Sequence, residues 1–169
     1  MWRFGTNNSI LFSMIARVVL FLCVRVVFAA EQPLPFSHKT HTSVGKLVCA
    51  DCHPNPAKFG AAMGFPAASK CMLCHVAIAK EKPAIVKLAA AAKSNEPIAW
   101  ERIYKLPDFV FFDHRYHLMN GAKCADCHGA VAEQDVVTDE LQSTKMVFCQ
   151  GCHFKMNAAR GCNTCHNNQ

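Results

Sequence analysis

A mostly α-helical chain with little regular secondary structure, organised as two modules, is the fold class the sequence predicts, and three observations predict it. Cys-x-x-Cys-His occurs five times in 169 residues, and Phe-x-His-x-x-His occurs twice, with the second copy opening a second module. The stretches between motifs are rich in Gly, Pro, Asn and Ala, as in Pro54 to Ala68, which favours loops over long elements.

The five motifs are Cys49, Cys52 and His53; Cys71, Cys74 and His75; Cys124, Cys127 and His128; Cys149, Cys152 and His153; and Cys162, Cys165 and His166. Each has the spelling of a covalent haem address. Two thiols add across the two vinyl groups of one haem, and the adjacent imidazole ligates its iron, so one site needs all three residues. Zinc would consume Cys-x-x-Cys pairs two at a time, whereas the pairs here are odd in number and each is followed at once by His. A dithiol oxidoreductase needs one such pair, and a disulfide scaffold has no use for the repeated histidine. The expected cofactor is therefore five covalently bound haems c. Residues 31 to 169 then offer about 28 residues per haem, so porphyrin supplies much of the apolar interior and the fold is organised by haem. Ten of the 11 cysteines are used in this way; the other, Cys23, lies in the leader.

In chain order, residues 1–30 hold Arg3, Arg17 and Arg25, the apolar run Val18 to Val24, and Ala29 and Ala30 before Glu31. This is the pattern of an export signal, with a retained membrane anchor as the alternative. Only seven residues separate Arg17 from Arg25, too few to cross a hydrocarbon layer of about 30 Å as a helix. The leader contributes three of the six net positive charges, and haem propionates lower the remainder, so the formal charge of +6 does not argue for nucleic-acid binding.

A two-haem module follows over residues 31–82. It opens with Phe36-Ser-His38-Lys-Thr-His41, whose histidines, three apart, lie near one face of a helical turn and can reach two neighbouring irons. His38 and His41 are thus candidate distal ligands. Residues 83–111 are a linker. Lys82-Pro83 opens a helix with Ile85, Leu88, Ala89 and Ala92 at helical spacing, which stops by Asn95-Glu96-Pro97. Ile98 to Phe112, with Trp100, Tyr104 and Phe109-Val-Phe-Phe112, is expected to be extended and packed on haem faces. The three-haem module spans 112–169 and opens with Phe112-Asp-His114-Arg-Tyr-His117, making His114 and His117 the second distal pair.

With these motifs in place the chain resembles the class III multihaem c-type cytochromes of the triheme and tetraheme type, over residues 36–75 and 112–166. The segment from Pro97-Ile-Ala-Trp100 through Leu106 to His114, followed by Cys124 to Gly129, also resembles part of the pentahaem c-type subunit of alternative complex III and its quinone reductase relatives. The resemblance implies a periplasmic electron-transfer protein with low-spin, mostly bis-histidine haems. His53, His75, His128, His153 and His166 would be proximal ligands and His38, His41, His114 and His117 distal ones. Redox proteins would be the partners, among them a membrane quinol oxidoreductase or a terminal reductase.

Five bis-histidine irons need ten imidazoles and the chain has nine. Each module has one distal pair, so the odd iron belongs to the three-haem module. Met146, three residues before Cys149, is the chosen sixth ligand, ahead of Met156, Met119 and Met63. Electron transfer is the expected function, either as a carrier or as a subunit of a membrane quinol complex. The competing function is a multihaem reductase with one open iron, for which no catalytic cluster stands out.

Overall fold

The computed structural model describes residues 30–54 and 63–166. The expected leader therefore lies outside the described residues, apart from Ala30, as does much of the loop from Pro54 to Ala68. The described chain is helical with little regular structure, in agreement with the expected fold class. In order come α1 (His38–Ser43), α2 (Cys49–Cys52), α3 (Ala68–His75), α4 (Pro83–Ser94), α5 (His114–Met119), α6 (Cys124–His128), a 3-10 turn at Val131–Glu133, α7 (Met146–Lys155) and α8 (Cys162–Cys165). Among the described residues there is no strand, and one antiparallel bridge joins Val110 to His166.

Most of these helices are too short to persist on propensity alone, and local hydrogen bonds shape their ends. Ser37 caps α1, its hydroxyl accepting from the Thr40 N–H at 3.1 Å, and Asp113 caps α5 by accepting from the Arg115 N–H at 2.8 Å. Asp51 and Asp126 act one turn into α2 and α6, where their carboxylates accept the N–H of Val48 at 2.7 Å and of Lys123 at 2.8 Å. The longest helix, α4, starts with Pro83 at its first turn and ends on Asn95 in the left-handed region at φ 56°, a conformation that Asn adopts at lower cost than most side chains.

The protein's own core is small. Among the described residues the buried apolar side chains are Leu34, Ala68 and Leu88, where α3 lies on α4, with Met72, Ile85, Ile98 and Trp100 packed around them. Replacing Leu88 by Ala should cost about 2–5 kcal/mol and lower the denaturation midpoint of the holoprotein; an unchanged midpoint would mean that this cluster does not limit stability. Elsewhere large apolar side chains stand exposed beside the Cys-x-x-Cys-His motifs, among them Val48, Leu73, Val76, Val147 and Phe154. Protein atoms do not cover this apolar surface. No helix among the described residues is long and apolar enough to cross a membrane.

Candidate functional site

All nine histidines fall within the described residues, and eight of them meet in pairs. His38 faces His53 with ring centres 6.4 Å apart and planes within 11°, and His114 faces His128 at 6.3 Å and 4°. His41 meets His75 at 6.0 Å and 57°, and His117 meets His153 at 6.0 Å and 48°. A metal–imidazole bond of about 2.0–2.1 Å on each side, plus about 1.2 Å from each nitrogen to its ring centre, sets two axial imidazoles about 6.4 Å apart. The four observed separations lie within a few tenths of that figure. Among the described residues no three His, Cys, Asp or Glu side chains converge on one point, as a zinc site would require. Two imidazoles across a gap, with two thiols beside one of them, suit a metal whose other four positions a macrocycle fills.

The pairing repeats between modules. The first histidine of α1 and of α5 meets a Cys-Ala-Asp-Cys-His motif, and the second meets the motif that follows it. The phenylalanine of Phe-x-His-x-x-His explains part of this geometry. Phe36 stacks on His41 at 4.3 Å and stands edge-on to His38 at 4.8 Å; Phe112 does the same to His117 at 4.6 Å and to His114 at 4.8 Å. One ring therefore orients two imidazoles.

Backbone carbonyls set the tautomers. Nδ1 of His41 lies 2.7 Å from the Ser37 carbonyl and Nδ1 of His117 lies 2.9 Å from that of Asp113. His53, His75 and His153 make the same contact with Gly64 at 2.9 Å, Ile78 at 3.0 Å and Ala159 at 2.6 Å. A carbonyl can only accept, so Nδ1 donates and Nε2 keeps the lone pair that a metal needs. The Nδ1 atoms of His38 and His114 are buried with no hydrogen-bond partner among the described residues. Burial, and then the neighbouring imidazoles, hold the pKa values of His38 and His114 below the usual histidine range; burial and then His53 do so for His128. Neutral imidazole is the ligating form.

Burial is the leading cause that pushes the thiols of Cys52, Cys71, Cys124, Cys127 and Cys149 up.

His166 has no imidazole opposite it among the described residues. Its ring neighbour is Phe109, at 5.8 Å and 29°. A phenyl ring cannot bond to iron and would need more room than an imidazole to stand across one, so Phe109 flanks His166 instead of facing it across a metal. Met146, Met156 and Met119 are exposed on or just after α7 and α5.

Sequence reasoning passed over four positioning residues. Ser37 and Asp113 occupy the variable position of Phe-x-His-x-x-His, and both are residue types that favour helix N-caps, a signal available in the sequence. Asp113 is 2% exposed and paired with Arg115 at 3.0 Å. Tyr104 meets His128 edge-on at 4.5 Å, donates to the His128 carbonyl at 2.8 Å and accepts from the Leu141 N–H at 2.9 Å. Arg102 lies over the Phe65 ring at 4.9 Å. No local pattern marks either of these last two.

Comparison with known proteins bears on the same residues. Residues 110–168 match the family described as cytochrome c7 and related cytochrome c. The multiheme cytochrome c subunit of menaquinone reductase from Nitratidesulfovibrio vulgaris is 28% identical over 162 residues, covering 80% of this chain and 77% of that protein. When bound, haem c would supply a one-electron iron couple, for which the residues above would offer thioether anchors and axial imidazoles. Motifs and imidazole geometry suit covalently held haem with axial histidines, and both matches are to multihaem c-type cytochromes.

Proposed function

We propose that the chain carries five haems c and works in the periplasm as the electron-transfer subunit of a membrane quinone oxidoreductase. The four imidazole pairs at axial separation carry this reading. His53, His75, His128, His153 and His166 are the proximal ligands. His38, His41, His114 and His117 complete the first four irons in that order, and the ten motif cysteines anchor the macrocycles. Residues 31–82 form the two-haem module, 83–111 the linker and 112–169 the three-haem module. The role of the menaquinone reductase subunit supports the partner, and the export signal expected over residues 1–30 supports the location.

Met146 is the sixth ligand of the His166 iron in this reading. It lies three residues before Cys149 on α7 and so shares a face with it.

Mass spectrometry of the mature protein should give the apoprotein plus five haem groups. Low-temperature EPR should resolve four bis-imidazole irons and one of different ligation. Protein from native membranes should copurify with quinone-reactive subunits. Two or three haems per chain, or stoichiometric zinc, would overturn the site reading; recovery as a free protein from the soluble fraction alone would overturn the partner.

A further inference from the structure

The two modules meet through α1 and the linker. α1 lies on the segment that follows His128: the Lys39 N–H donates to the Gln134 carbonyl at 2.9 Å, the Thr42 hydroxyl to the Ala132 carbonyl at 2.9 Å, and the Ser37 hydroxyl to the Asp135 carboxylate at 2.8 Å. Phe65, beside His53 at 6.0 Å, receives Arg102 from the linker, and two residues further on Tyr104 holds the His128 carbonyl. After burial, Cys49 is the next cause that pushes the Cys124 thiol up. Cys49 and Cys124 hold the same place in identical five-residue motifs, as do His53 and His128.

Within each module the neighbours follow from the shared distal helix. His38 and His41 on α1 bring the His53 and His75 sites together, and His114 and His117 on α5 do so for His128 and His153. The fifth motif joins the second module just before α5, where the Phe111 N–H donates to the Cys165 carbonyl at 2.7 Å and Val110 bridges His166.

We infer that the five sites form one line whose order departs from that of the sequence: His75, His53, His128, His153, His166. The inference rests on the ligand pairs proposed above. An electron crossing from one end to the other must then pass the junction between the His53 and His128 sites, and the odd iron stands at a terminus.

A trap placed at the junction tests the order in the holoprotein. His114→Met keeps a ligating side chain but exchanges imidazole for thioether, which raises the potential of the His128 iron. A ruthenium polypyridyl sensitiser, attached through Lys80→Cys near His75, injects one electron per molecule when flashed with a sacrificial amine as reductant. One ferric iron accepts that electron. Its arrival at the His166 iron, read from that iron's distinct spectrum, should slow about tenfold or more in His114→Met, equivalent to about 59 mV for a one-electron couple. With the sensitiser on Arg160→Cys, in the loop between the fourth and fifth motifs, arrival should not change.

His38→Met places the same trap on the other side of the junction and replaces His114→Met if that variant does not assemble. An altered ligand spectrum with unchanged transit from Lys80→Cys would overturn the order. A trap that left every iron's spectrum unchanged would overturn the ligand pairs instead.

Discussion

Produced without covalent haem attachment, the chain should show little helix by circular dichroism and no cooperative thermal transition. Ordering each residue costs about 1–2 kcal/mol of backbone entropy, whereas burying one large apolar side chain returns about 1.5–3 kcal/mol. Among the described residues the buried apolar side chains are Leu34, Ala68 and Leu88, and no large side chain is fully buried. That cluster serves α3 and α4 and leaves α5 to α8 with no comparable core. Those helices instead expose Val147, Phe154, Met146 and Met156 beside the haem motifs, surface that porphyrin would remove from water. Brief proteolysis of the haem-free chain should therefore cut throughout residues 112–166, while the holoprotein resists. A sigmoidal melt and native-like helix content without haem would show that the polypeptide holds itself together, and the view of haem as the interior would fall.

Covalent chemistry made the haem addresses legible, because thioether attachment and iron ligation constrain adjacent residues and leave a local signature. The helix from Pro83 was legible for a similar reason: Pro at the first turn and Asn95 after the last are local signals, and the helix runs Pro83–Ser94. The choice of partner for each distal imidazole was not legible. His38 and His53 are fifteen residues apart, but His41 and His75 are thirty-four apart across a loop and two motifs, and spacing along the chain does not determine which rings meet. Tyr104 and Arg102 were read only as part of an extended aromatic segment. Their roles depend on contacts with His128, Leu141 and Phe65 that a local reading cannot supply. The junction between modules was hidden for the same reason, since it joins Ser37, Lys39 and Thr42 to residues 132–135 through polar contacts that have no sequence pattern.

Met146→Ala should convert one iron from low-spin to high-spin and lower its reduction potential, leaving the four bis-imidazole irons unchanged. The pairing leaves His166 as the imidazole without a counterpart, and Phe109 cannot take that place because carbon offers iron no lone pair. In the proposed pairing His117 and His153 take both axial positions at the Cys149 motif, which leaves no vacancy there for a thioether from Met146. A thioether donates less charge to ferric iron than imidazole does and so favours the ferrous state, which raises the potential; removing it should reverse that shift. A redox titration of the holoprotein, followed by absorption and low-temperature EPR, would read both changes, and carbon monoxide should bind the reduced variant at one iron per chain. Met146 is exposed and lies on the surface of α7, so loss of packing should have little part in the outcome. A parental spectrum and titration would transfer the assignment to Met156 or Met119. Carbon monoxide binding to one iron of the unmodified protein would instead mean that the His166 iron has no sixth side-chain ligand.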